Sequence, residues 1–287
     1  MPSLKDVQRQ ISGVKKTSQI TKAMNMVAAA KLRGSQQRME NFRPYKEQFN
    51  KAMGNLAGNM SGSDFPLMEE RDVATVDLLV ITSDRGLCGS FNANIMKMAE
   101  KKAIAYRAEG KKVRFVCVGK KGARYFRKRF DVRKAYPDIM STFQMFNARE
   151  IAQDIAAEFL AGATDRCEIV YGRFHSVVSQ KPAAEQLLPI SSLEDGGAGQ
   201  KGDYIYEPDP AEIMEVILPL YLNVMVYHTM LEVSASEHAA RMTAMDNATN
   251  ACRDIINSLT LLYNKARQAG ITAELMDIVG GAEALKG

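Results

Sequence analysis

A chain of 287 residues that is 46% apolar and 25% charged can bury a sizeable core in one or two domains. Its net charge of +5 is too small an excess to argue for nucleic acid, and Cys88, Cys117, Cys167 and Cys252 are too scattered for a disulfide frame or metal site, so they read as reduced, mostly core residues. The opening lacks the apolar heart of a signal peptide, and no run approaches the roughly 18 apolar residues of a membrane span. A soluble chain is expected, or one held at a membrane through a partner.

Residues 1–60 read as one long helix. Leu4, Val7, Ile11 and Val14 step by 3, 4 and 3, and the pattern slips and resumes at Ile20, Met24 and Val27. Pro44 predicts a kink near Arg43, and Gly54, Gly58 and Ser61 to Ser63 predict the end. The middle, residues 72–207, changes period. Short apolar runs at 76–82, 113–118 and 168–174 predict buried strands, and the stretches 94–107, 122–129 and 148–160 predict helices. Strands alternating with helices predict a parallel-sheet α/β domain. Asp195 to Gly202 reads as a flexible loop, and Tyr204 to Tyr206 as an edge strand.

From Asp209 to the end the helical period returns, with a bend expected at Pro219. Met245, Ala248, Cys252, Ile255, Leu259, Leu262, Ala266, Ala269, Ala273 and Met276 alternate steps of 3 and 4, the seam of a coiled coil. Neither long helix can bury its stripe alone, so the two, which bracket the α/β domain in sequence, are expected to pair antiparallel as a coiled coil protruding from it. Charge agrees. Residues 1–60 hold eleven Lys and Arg against three Asp and Glu, whereas residues 211–287 hold five against nine. Each exposed pair contributes only about 0.3–0.5 kcal/mol.

Candidate sites are sparse. Thr82 to Asn92 (TSDRGLCGSFN) follows a strand and precedes a helix, where α/β folds bind ligands. Its G-x-x-G spacing is no dinucleotide fingerprint or P-loop, and a tight turn with Asp84 and Arg85 in local polar contacts is the plainer reading. Gly119 to Gly122 also lacks the P-loop spacing. Cys88 has no evident base, and His175, His228 and His238 form no metal pattern; His238, near the seam, reads as packed or capping. No catalytic, cofactor-binding or metal-ligating residue is predicted. The basic face of Lys15, Lys16, Lys22, Lys31, Arg33 and Arg38 suits either plain solvation or contact with a protein.

Several blocks, in order along nearly the whole chain, resemble the γ subunit of F-type ATP synthases of the bacterial type. They are Ile20 to Arg33 (ITKAMNMVAAAKLR), Thr82 to Gly89 (TSDRGLCG), Tyr204 to Pro210 (YIYEPDP), Ala235 to Thr249 (ASEHAARMTAMDNAT), Leu262 to Ala269 (LYNKARQA) and Ile271 to Gly281 (ITAELMDIVGG). The resemblance implies two terminal helices in an antiparallel coiled coil flanking a Rossmann-like α/β domain. It also implies a central rotary shaft without catalysis or cofactor of its own, coupling proton or sodium transport to ATP synthesis and hydrolysis. The implied partners are a hexameric ring of α and β subunits, the ε subunit and a membrane c-ring, with no nucleic acid. The implied place is the cytoplasmic face of the bacterial inner membrane, held there only through the c-ring. By matching position, Met24, Arg241, Arg267, Gln268 and Thr272 fall in the β-subunit contact zone. Leu275, Ile278 and Val279 fall in the apolar bearing, and Tyr204, Tyr206 and Glu207 in the foot facing the c-ring and ε. Gly270 departs from the better helix former expected there, which costs about 1 kcal/mol of helix stability. The Asp195–Gly202 loop lacks the cysteine pair of the photosynthetic redox segment. Two rivals are weaker: a free-standing nucleotide-binding protein lacks its phosphate loop, and a basic coiled-coil nucleic-acid binder does not suit the acidic second helix.

Overall fold

The computed structural model describes residues 3–57, 65–190, 207 and 209–284. The expectations placed on Gly58, on Ser61 to Ser63, on Asp195 to Gly202 and on Tyr204 to Tyr206 lie outside these residues. Contacts divide the chain into two units, residues 28–241 and residues 1–27 with 242–287.

The larger unit holds a five-stranded sheet in the order β3-β2-β1-β4-β5. Strands β1 (Thr75–Ile81), β2 (Lys112–Val118), β3 (Val132–Tyr136) and β4 (Arg166–Phe174) run parallel, and β5 (Gln180–Leu188) pairs antiparallel with β4. β1, β2 and β4 are the apolar runs expected, buried on both faces. β3 and β5 escaped the sequence reading because they are edges. Arg133 and Lys134 interrupt one, and Pro182 stands in the other, where a missing amide is tolerated. Helices α2 (Phe91–Ala108), α3 (Lys120–Phe126) and α4 (Met145–Leu160) make the crossovers. Right-handed connections put α2 and α3 on one face and α4 on the other. The partners of two buried carboxylates agree: Glu168 accepts from Lys102 and Tyr106 of α2, while Asp77 meets Arg114, itself paired with Glu158 of α4.

The long helices are α1 (Leu4–Ala57) and α5 (Pro210–Ala284). Ser3 caps α1, its hydroxyl accepting from the Asp6 amide at 3.2 Å. Both helices run through their prolines, Pro44 and Pro219, which sit on exposed faces. An internal proline costs about 3 kcal/mol, and burial of the facing stripes offsets it. In the larger unit Ala28, Leu32, Ser35, Met39 and Met53 are buried on α1, and Phe42, Lys46 and Phe49 half-buried, in unbroken 4-3 spacing. Phe42 packs on Tyr227, Phe49 stacks on Tyr221, and Ser35 shares a hydrogen bond with Ser234, so the two helices are antiparallel. Between residues 222 and 241 α5 is buried almost all round, as a helix covered on several sides must be. This explains why α5 contains a window apolar enough to cross a membrane by composition while 61% of that window is buried within the chain.

In the smaller unit α1 and α5 are again antiparallel: Thr21 Oγ1 lies 2.8 Å from Thr249 Oγ1, and Asn25 donates to the Met242 carbonyl at 2.9 Å. Val7 is buried and Ile11, Val14, Ser18, Thr21 and Asn25 are half-buried. The 4-3 spacing therefore never slips. Small polar residues occupy the seam where the sequence reading saw a break, and Ile20 and Val27 are 60% and 57% exposed on a second, outward stripe. On α5, Met245 and Cys252 are buried and Leu259 and Ala266 half-buried as expected, but Ile255 and Leu262 face outward while Thr249, Ile256 and Tyr263 take seam places.

Candidate functional site: the α5 tip, the outer stripe of α1 and the turn after β1

The register of the helix pair determines what α5 leaves uncovered. Counting 17 residues from Thr21 back to Leu4, and as many forward from Thr249, reaches Ala266. Beyond it α5 continues to Ala284, and every residue from Ile271 to Ala284 is exposed. Ile271, Leu275 and Ile278 form one apolar row, with Met276 and Val279 beside it. A segment of this length, about 21 Å at ~1.5 Å per residue, is marginal as a lone helix in water, and an exposed apolar surface of this kind marks a place for a partner. Leu275, Ile278 and Val279 thus lie together on this tip. Arg267, Gln268 and Thr272 lie at its base, exposed, with the Thr272 hydroxyl donating to the Gln268 carbonyl at 2.9 Å. A Cβ at Gly270 would meet nothing within 4 Å, so no packing inside the chain demands glycine there.

Met24 belongs to the outward stripe of α1 with Ile20 and Val27, and is half-buried at the margin of the seam. Glu207 is exposed, and Tyr204 and Tyr206 lie outside the described residues. Arg241, in the larger unit, is placed otherwise. It is 8% exposed, and its guanidinium is engaged within the chain. Nη2 donates to Glu237 Oε1 at 2.6 Å and to the Gly86 carbonyl at 3.1 Å, and Nη1 lies 3.3 Å from His238 Nδ1. Burial, reinforced by Arg241, Lys31 and Arg85, lowers the His238 pKa to about 4, so at neutral pH its ring can accept from Arg241. Burial also raises the Glu237 pKa, against the pull of Arg241.

The carboxyl ends of β1 and β4 form the crevice where open α/β sheets receive ligands, and this chain fills it with its own groups. Asp84 accepts from the amides of Lys120, Asp138 and Met140 at 3.0, 2.9 and 3.0 Å, so a carboxylate already occupies the start of α3, where a phosphate would bind. The Phe91 ring lies so close over β4 that a Cβ at Gly172 would come within 2.3 Å of it. Gly119, at φ 92, would place a Cβ 2.2 Å from the Thr82 carbonyl, so that turn too is closed against its neighbour. Cys88 is buried, with its pKa pushed up by burial, and Asn92 donates to its sulfur. Among the described residues no group of three His, Cys, Asp or Glu could hold a metal ion.

A family model described as ATP synthase matches residues 3–285. The ATP synthase gamma chain of Desulfotalea psychrophila is 64% identical over 290 residues, covering all of both chains. The chain belongs to the ATP synthase gamma-chain family. A second gamma chain, from Maridesulfovibrio salexigens, is 52% identical over the full length of both. The central stalk and c-ring structure of the Tetrahymena thermophila mitochondrial ATP synthase includes a chain 27% identical to this one, with a TM-score of 0.64, covering 80% of this chain and 99% of that one. A chain of the Euglena gracilis mitochondrial enzyme shares the fold at a TM-score of 0.70 and 23% identity, covering 98% of this chain and 94% of that one. The relatives are named ATP synthase gamma chains, and the solved structure this chain resembles is of a central stalk with its c-ring. The sequence reading missed the Arg241–Glu237 pair. Its signal was the E-x-x-x-R spacing of an ion pair on one helix face, which the resemblance had already assigned to contact with another subunit.

Proposed function

We propose that this chain is a non-catalytic rotary shaft, carrying torque between a membrane c-ring and a catalytic ring of α and β subunits. It thereby couples proton or sodium transport to ATP synthesis and hydrolysis. The observation that carries this reading is the uncovered α5 tip: an apolar helix end that outruns its partner strand of the coiled coil and needs a sleeve. In this reading Leu275, Ile278 and Val279 turn within an apolar bearing of the ring. Met24, Arg267, Gln268 and Thr272 belong to the zone that meets the β subunits, with Arg241 in the same zone. Tyr204, Tyr206 and Glu207 belong to the foot on the c-ring and ε subunit. The self-filled crevice supports a role without chemistry, because no phosphate can enter where Asp84 holds the amides. The chain touches the membrane only through the c-ring, at the cytoplasmic face of the bacterial inner membrane, and takes no nucleic acid.

A shaft whose faces differ presents a different one to each catalytic site, so turning it biases each site through its conformations in sequence. Met24 offers the test. In Met24→Lys the new side chain can lay its methylenes along the stripe and carry its ammonium outward. A charge shielded within the ring gains a contact stronger in one rotary position than in others. The complex is expected to assemble and hydrolyse ATP while ATP-driven ion pumping, measured in the same vesicles, falls severalfold. An unchanged ratio of pumping to hydrolysis in a normally assembled complex removes Met24 from the coupling zone.

A further inference from the structure

The turn after β1 holds a leucine in a conformation that leucine avoids. Leu87 has φ 61 and is exposed, in the left-handed region that persists for such a residue only where the surroundings over-determine it. The two ends of the turn are fixed locally. The Ser83 amide donates to Asn92 Oδ1 at 3.0 Å, the Ser83 hydroxyl donates to the Arg85 carbonyl at 2.6 Å, and Asp84 accepts its three amides. The apex is different. Among the described residues, the hydrogen bonds that reach Gly86 come from Arg241, whose Nη2 and Nε approach its carbonyl at 3.1 and 3.4 Å. Arg241 in turn is pinned by Glu237 one helical turn away, with side chains only 10% and 7% exposed. A planar fork that bridges a carboxylate and a carbonyl fixes direction as well as distance, which a lysine cannot do.

We propose that Arg241 is a positioning residue: with Glu237 it clamps the Gly86–Leu87 apex to α5, presents Arg85 and Leu87 outward in one pose, and acts on coupling through that apex. The acceptors of its guanidinium belong to this chain, and the group is buried, so direct contact with another subunit would require breaking the clamp. The proposal rests on the rotary reading only for its coupling readout.

The test uses the assembled enzyme in vesicles, with Arg241→Lys, Glu237→Gln, the double variant and Leu87→Ala. Amide hydrogen exchange is followed across residues 83–92, alongside the ratio of ATP-driven pumping to hydrolysis. Arg241→Lys and Glu237→Gln are each expected to speed exchange in the turn at least tenfold while leaving β1 unchanged. Each is expected to lower the pumping ratio severalfold, with the double variant no worse than the more severe single one. Leu87→Ala is expected to lower the ratio without changing exchange. Unchanged exchange in both clamp variants overturns the proposal. So does a lowered ratio in Arg241→Lys beside a normal ratio in Leu87→Ala, since the guanidinium then acts directly. Glu237→Gln preserves shape, so it decides the matter even where Arg241→Lys fails to assemble. If the unaltered complex does not pump at all, the rotary reading falls, while the exchange result still decides whether the clamp exists.

Discussion

At residue scale the buried polar groups set the terms. Asp84 satisfies three amides at once, and only one of them, on Met140, is in partly buried surroundings. Asp84→Ala should therefore destabilise the chain by about 1–3 kcal/mol, the cost of leaving donors without an acceptor. Urea unfolding of the chain checks this, and a loss under 0.5 kcal/mol counts against the three bonds. His228 makes a pH-dependent contribution. It is buried with Lys46 Nζ 3.4 Å from Nδ1 and Glu232 3.6 Å from Nε2, and burial first, then the charges of Lys46, Arg43 and Arg173, lowers its pKa to about 3. The unfolded chain takes up a proton near pH 6.5 and the folded chain does not until about 3. Stability is thus fully present above 6.5 and declines as pH falls, by at most about 1.4 kcal/mol per unit. The urea midpoint should fall more steeply below pH 6.5 in the unaltered chain than in His228→Gln, and equal slopes would show that His228 titrates normally when folded. Both residues were visible in the sequence, Asp84 even as a member of a tight turn. The depressed histidine was not, because its cause is a cluster drawn from α1, α5 and β4, far apart in sequence.

At the scale of elements, long helices and buried strands were legible because their periods repeat over many residues. The edge strands were not, since Arg133, Lys134 and Pro182 carry the signature of exposure rather than of pairing. The phase of the coiled coil was half legible. Apolarity alone chose Ile20, Val27, Ile255 and Leu262 for the seam, whereas the helices place Ser18, Thr21, Asn25, Thr249 and Tyr263 there and turn the apolar residues outward. Polar seam residues fix register at some cost in stability. Thr21 and Thr249 allow a direct check. Thr21→Val or Thr249→Val alone should cost about 1 kcal/mol by removing the bond between them, the remaining hydroxyl keeping its own carbonyl acceptor, and the double replacement should cost little more than either single one. A double-mutant cycle on thermal unfolding measures this, and strict additivity of the two losses would mean the hydroxyls do not meet.

For the whole molecule, function was legible where blocks of sequence matched a family and illegible where geometry decides. The place of Met24 at the seam margin and the exposure of the α5 tip both depend on the pairing register, which no single stretch encodes. In the proposed rotary reading, the filled crevice, the basic α1, the acidic α5 and the uncovered tip belong to a part that supplies shape and charge to others. The central claim is that this part turns. With the α and β ring fixed to a surface and a probe attached to the described sheet domain, saturating ATP should drive stepwise rotation of the probe in one direction. A probe that stays fixed while the same complexes hydrolyse ATP would contradict the account.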